Sequence, residues 1–228
     1  MKKNRIFLSV LFMISLTSCV TPRKNVHVSE GFMSQHGSIL IITLPHEEHA
    51  NFYTLGNQGI LDYYVNNAMA DNVGKKIKSI PISPFLDYDY YEPYNIVFGK
   101  NFQVKIAKEP INIKDLKGFS KDIKFAPYDF RYLKNKYNTD YALILNVTSF
   151  GAARQYYSFI PTSSPYGVCD ENIYLVNLNN NTIIAEHHSL FTKAAQGYWD
   201  SPPDYTALVD AVEGAVEGCL DQTRAIYQ

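Results

Sequence analysis

Ser38-Ile39-Leu40-Ile41-Ile42-Thr43-Leu44 is a continuous apolar run closed by Pro45, the pattern of a strand buried on both faces. A polar stretch, His46 to His49, follows it. Apolar positions then recur at three- and four-residue steps from Gln58 to Ile80. Leu61, Tyr64, Val65, Ala68, Met69, Val73, Ile77 and Ile80 predict one helix with one buried face. Strand followed by helix opens an α/β unit. Pro81 to Phe102 has no period and predicts an irregular loop or insertion, whereas Phe102-Gln103-Val104-Lys105-Ile106 alternates and predicts a half-exposed strand. Pro127 to Tyr137 predicts a short helix, with Pro127 in its first turn and Phe130, Leu133 and Tyr137 on its apolar side.

The second half is patterned more clearly. Tyr141 to Val147 and Arg154 to Ile160 predict two strands. Glu171 to Leu178 and Thr182 to Leu190 flank the turn signal Asn179-Asn180-Asn181 and predict a hairpin. Ser201-Pro202-Pro203-Asp204 has the form of a helix start, with Ser201 as cap and Pro202 in the first position. Leu208, Val212, Val216 and Leu220, with Ala211, Ala215 and Cys219, form the stripe that this helix buries. Gly214-x-x-x-Gly218 offers a small patch for close packing on the sheet. The expected fold is α/β: a mixed β-sheet, parallel first and antiparallel afterwards, with helices packed on one face, in a single compact domain over residues 38–228.

The start of the chain has a different pattern. Lys2, Lys3 and Arg5 precede Ile6 to Leu16, an apolar run broken only by Ser9 and Ser15. A cationic start, a short apolar run and small residues describe a secretory signal peptide. The run falls short of the roughly 20 apolar residues that span a bilayer. Leu16-Thr17-Ser18-Cys19 resembles the lipobox of bacterial lipoproteins. That resemblance implies removal of residues 1–18, diacylglycerol on the Cys19 thiol, acylation of the new amino terminus and attachment to a membrane through Cys19. Each buried methylene contributes about 0.8 kcal/mol, so several acyl chains anchor permanently. By the same resemblance Val20, in place of Asp, implies sorting to the outer membrane, with the domain expected to face the periplasm. Residues 19–37 read as lipidated cysteine and flexible tether, able to span up to roughly 60 Å when extended.

The 21 basic and 22 acidic side chains nearly cancel. No global field therefore draws the protein to nucleic acid, and its hold on lipid would rest on Cys19. The two remaining cysteines, Cys169 and Cys219, form a candidate disulfide in an exported chain. His46-Glu47-Glu48-His49 follows a strand, and His46, Glu48 and His49 could serve a metal-assisted hydrolase. The spacing differs from the zinc-protease helix motif, and a solvated polar loop is the plainer reading. His187 and His188 are adjacent on a strand and point to opposite faces. No Gly-x-Ser-x-Gly elbow occurs, and no glycine-rich phosphate loop follows the first strand, so no cofactor is expected. Tyrosine is abundant, at 18 residues, and it clusters with acids in Asp87–Tyr94. Tyr88, Tyr90, Tyr91 and Tyr94 are thus candidate partner contacts.

Asn138-Thr139-Asp140-Tyr141-Ala142-Leu143-Ile144-Leu145, and Tyr174-Leu175-Val176-Asn177-Leu178-Asn179 before its turn, resemble envelope lipoproteins similar to the curli-secretion channel lipoprotein and the amino-terminal domain of TolB. The resemblance implies fold and compartment and assigns no functional residue. The expected function is a non-catalytic, lipid-anchored component of an envelope or secretion assembly. It would bind a protein partner through a sheet edge or the tyrosine-rich loop; a binder of a small envelope ligand or glycan is a further alternative.

Overall fold

A computed structural model describes residues 28–81 and 88–227. The expected signal peptide, Cys19 and the first part of the tether, through residue 27, lie outside the described residues. The fold is built around one strand, β4, Tyr141–Tyr157. Its first half is apolar on both faces and pairs in parallel with β1, Gly37–Thr43, bringing Ile39 opposite Tyr141 and Thr43 opposite Leu145. β3, Phe102–Ile106, pairs in parallel with the far side of β1. Beyond residue 149 the same edge of β4 takes up a different parallel partner, β2, Asn51–Asn57. Gly151 marks that changeover: its φ is +143°, and a Cβ there would sit 2.0 Å from the Asn51 carbonyl oxygen.

Along its other edge β4 pairs antiparallel with β6, Tyr166–Asn177, and β6 pairs antiparallel with β7, Thr182–Ala194. A two-residue strand β5, Ile160–Pro161, folds back on the end of β4. The sheet is therefore mixed and seven-stranded, parallel early and antiparallel late, as the patterning predicts. Arg154 to Tyr157 is a continuation of β4 instead of a separate strand. A bulge between Val147 and Ser149 lets Val147, Phe150 and Ala152 stay on one face.

Among the described residues six helices pack on the sheet. α1, Glu30–Met33, buries Phe32 against Phe102 and Tyr141, so the last part of the expected tether belongs to the fold. α2, Ile60–Met69, and α3, Asp71–Lys78, replace the single helix expected over 58–80. The helix breaks at Ala70 (φ −85°, ψ 2°), and only α3 turns its apolar side, Val73 and Ile77, into the core. α4, Tyr88–Phe98, occupies half of the stretch expected to be irregular, since Tyr94 and Phe98, four residues apart, both reach the core. α5, Tyr132–Tyr137, is shorter than expected but buries Leu133 as predicted.

α6, Thr206–Tyr227, begins five residues after Ser201, whose hydroxyl donates to the Tyr198 carbonyl oxygen instead of capping. Its stripe of Leu208, Ala211, Val212, Ala215, Val216 and Cys219 is buried as predicted. The small patch packs on the sheet of the same chain, where a Cβ at Gly218 would fall 2.3 Å from the Phe191 ring. Helices cover both faces, not one. α1, α3, α4 and α6 lie over Ile39, Leu143, Phe150 and Ile173, while α5 and the 107–130 connection lie over Leu40, Ala142 and Val176. Asn181 ties that connection down, accepting from the Phe130 N–H and donating to the Tyr128 carbonyl at 2.8 Å. Among the described residues no helix is long and apolar enough to cross a membrane.

Candidate functional site

The residues expected to carry chemistry do not converge. His46 Nε2 lies 2.9 Å from Asn146 Oδ1, Glu47 accepts from the Asn51 side-chain amide, and the backbone of His49 bridges to Pro81. His46, Glu48 and His49 are exposed, and among the described residues no three His, Cys, Asp or Glu side chains form a metal-holding group. His188 pairs instead with Asp170, Nε2 to Oδ1 at 2.8 Å. Cys169 and Cys219 are buried free thiols side by side, with the Cys219 thiol donating to the Cys169 carbonyl oxygen at 3.1 Å. The candidate disulfide is therefore not formed in this structure.

Of the four candidate contact tyrosines, Tyr94 is 1% exposed and packs with Phe98 and Ile39. It is a core residue, because α4 turns position 94 inward. The side chains of Tyr88, Tyr90 and Tyr91 lie outside the described residues.

The surface that needs a functional account is elsewhere, on α2. Ile60, Leu61, Tyr64, Val65 and Ala68 share one helical arc and all face outward; Ile60 and Leu61 are 80% exposed. Met69, next to that arc, is 77% exposed. The buried residue of this helix is polar. Asn66 is fully buried, and its Nδ2 donates to Gln58 Oε1 at 2.7 Å and to the Ser158 carbonyl at 2.9 Å. On the same docked side the Asp62 carboxylate accepts from the Gly59 N–H at 3.1 Å and the Ser158 hydroxyl at 2.9 Å. Hydrogen bonds fix the helix by its polar side and leave its apolar side in water.

These bonds seat α2 on the tip where β4 turns into β5. That tip exposes Tyr157, Phe159 and Ile160, which continue the apolar surface. Beside it runs β2, which among the described residues pairs with β4 alone and leaves its other edge open. Leu55 is exposed on the face of β2 opposite Thr54, whose hydroxyl bonds the Asn67 side chain of α2. Exposed apolar areas of this extent mark interaction sites in soluble domains.

A cleft of about 310 Å³ lies at the border of this surface, between Met69 and Val73 on one side and Phe159, Trp199 and Tyr205 on the other. Arg154 forms part of its wall. Its guanidinium lies over the Trp199 ring at 4.9 Å and the Tyr156 ring at 5.8 Å, and its Nε donates to the Ser163 carbonyl at 3.0 Å. The stack clamps the Trp199 loop to the tip of β4.

No protein-family model matches this chain, and no curated protein matches it. Solved structures do. Protein XCC0632 from Xanthomonas campestris is 10% identical, with 89% of this chain and 90% of that one covered at a TM-score of 0.42. The PelC dodecamer from Paraburkholderia phytofirmans is 8% identical, covering 86% of this chain and 95% of that one at 0.33. The lipoprotein GNA1162 from Neisseria meningitidis is 12% identical, covering 79% and 98% at 0.31. No functional residue is carried across from any of them.

Proposed function

We propose that this chain is a lipid-anchored component of a bacterial cell envelope that acts by binding a protein partner, without catalysis. Cys19 is the anchor, and the outward face of α2 with the β4–β5 tip is the docking face. One observation carries the reading: a helix held by Asn66 presents its whole apolar arc to solvent. Leaving Ile60, Leu61 and Met69 in water forgoes about 1.5–3 kcal/mol for each such side chain, which a partner would recover by covering them. The signal-peptide pattern and Leu16-Thr17-Ser18-Cys19 support the compartment and the anchor. Confinement to a membrane raises the effective concentration of the domain near neighbours without added contacts.

Two measurements test the two halves. Mass spectrometry of the mature amino terminus should find acylated Cys19, and Cys19→Ala should leave the membrane fraction; a fatty-acid-free terminus sinks the anchor. Leu61→Glu with Tyr64→Glu should release the protein from crosslinked envelope complexes while preserving its circular dichroism. Unchanged complexes would remove the docking face from the account.

A further inference from the structure

We infer that the occupant of this surface is a second copy of the same chain, docked about a two-fold axis with the α2 faces and open β2 edges meeting. The inference rests on the reading above that a protein covers α2, and it names that protein. Charge is the first argument. Between His49 and Asp71 the chain has one ionisable acid or base other than tyrosine, Asp62, and its Oδ2 is already engaged by Gly59 and Ser158. A neutral apolar face meets its own copy without the like-charge repulsion that burdens isologous contacts between charged patches. The same neutrality disfavours a lipid surface, because interfacial helices carry cationic residues and Ile60–Met69 has none.

Area is the second argument. Aromatic side chains bury about 150–250 Å² each. The side chains standing open on α2 and the tip thus offer on the order of 900 Å², close to the ~800 Å² per partner of a standard interface. Placement is the third. The chain enters the domain through α1, where Phe32 packs on Tyr141 at the start of β4, and the docking face lies at its end, Tyr157. Seventeen residues of strand separate the two by roughly 50 Å. The anchor side of the domain is thereby left clear. An antiparallel β2–β2 pairing would also satisfy the unpaired backbone groups of both edges, a known mode of strand addition.

The test is site-specific photo-crosslinking of the full chain in intact cells. A photoreactive residue at Tyr64 should give an adduct of twice the chain mass, with the crosslinked peptide mapping within residues 51–69 of the second copy. The same group at Ile123, exposed beside the β7 start, should not. Leu61→Glu should reduce an adduct formed from Met69 at least ~10-fold, the loss expected of a central hot spot. An adduct to a different protein overturns the second copy while leaving the docking face standing. Lipid adducts alone, or none, overturn both.

Discussion

Asn66 Nδ2 and the Ser158 carbonyl oxygen, 92 residues apart in sequence, meet at 2.9 Å where α2 crosses the tip of β4. This bond and its companion to Gln58 orient the helix, so the polar side faces in. Asn66 Oδ1 is buried with no partner among the described residues, so the side chain is held through its donor. Removing a buried donor from its acceptors costs about 1–3 kcal/mol. Asn66→Ala should therefore lower the unfolding free energy read from urea titration by that amount, whereas Tyr64→Ala, cutting an exposed ring, should stay within about 0.5 kcal/mol of wild type. Equal effects would show that the apolar arc, not Asn66, holds α2.

Gly151 is required twice over, by its φ of +143° and by the Asn51 carbonyl oxygen 2.0 Å from the place of a Cβ. Such a backbone conformation costs a side chain about 1–3 kcal/mol before any clash is counted. Gly151→Ala should destabilise by about 3 kcal/mol and lower Tm by roughly 10 °C. Because β2 would be pushed from β4, hydrogen exchange should quicken first at Asn51–Asn57. A variant with wild-type Tm would mean that β2 does not lie where β4 requires glycine.

Much of this was legible in the chain. β1, β3, the first half of β4, the β6–β7 hairpin and the α6 stripe follow from runs and periods that burial itself imposes. The α2 face was legible as a pattern and misread in direction: periodicity shows that Leu61, Tyr64 and Val65 share a side, but not that Asn66 claims the inside. β2 escaped because its β-favouring run, Phe52-Tyr53-Thr54-Leu55, is only four residues long and lies between Asn51 and Gly56-Asn57. α4 was hidden by tyrosines mixed with acids, although Tyr94 and Phe98 carry its inward side. The signal that could have located the proposed docking face was the scarcity of charge between His49 and Asp71, where Asp62 is the one acid or base other than tyrosine.

The Cys169 thiol is held well above its ordinary value, first by its hydrogen bond with Cys219 and then by burial. In the unfolded chain it ionises near 9. Stability in reducing buffer should therefore be complete below pH 9 and fall above it, as the unfolded state loses a proton that the folded state keeps. The limiting slope is about 1.4 kcal/mol per pH unit. Tyr53, raised by burial and then by Glu47, adds to the fall beyond pH 10. Denaturant titrations from pH 8 to 11 should show Cys169→Ala flattening the first part and Tyr53→Phe the second. A pH-independent wild type would contradict the buried thiol.

Trp199 is the chain's one tryptophan, so its emission reports on the Arg154 stack without labelling. A guanidinium over an indole contributes about 0.5–1 kcal/mol when exposed to water, and more when shielded. Arg154 also holds the Ser163 carbonyl, so its loss frees both the Trp199 loop and the segment after β5. Arg154→Ala should shift the emission to the red, raise quenching by iodide and cost about 1 kcal/mol. Arg154→Lys should do less to stability, since it retains charge, yet it cannot reproduce a flat cation between Trp199 and Tyr156. Because that stack borders the α2 face, Arg154→Ala should also weaken docking there without touching an outward residue. If the emission does not move, Trp199 is held by something other than Arg154, and the border of the docking face must be redrawn.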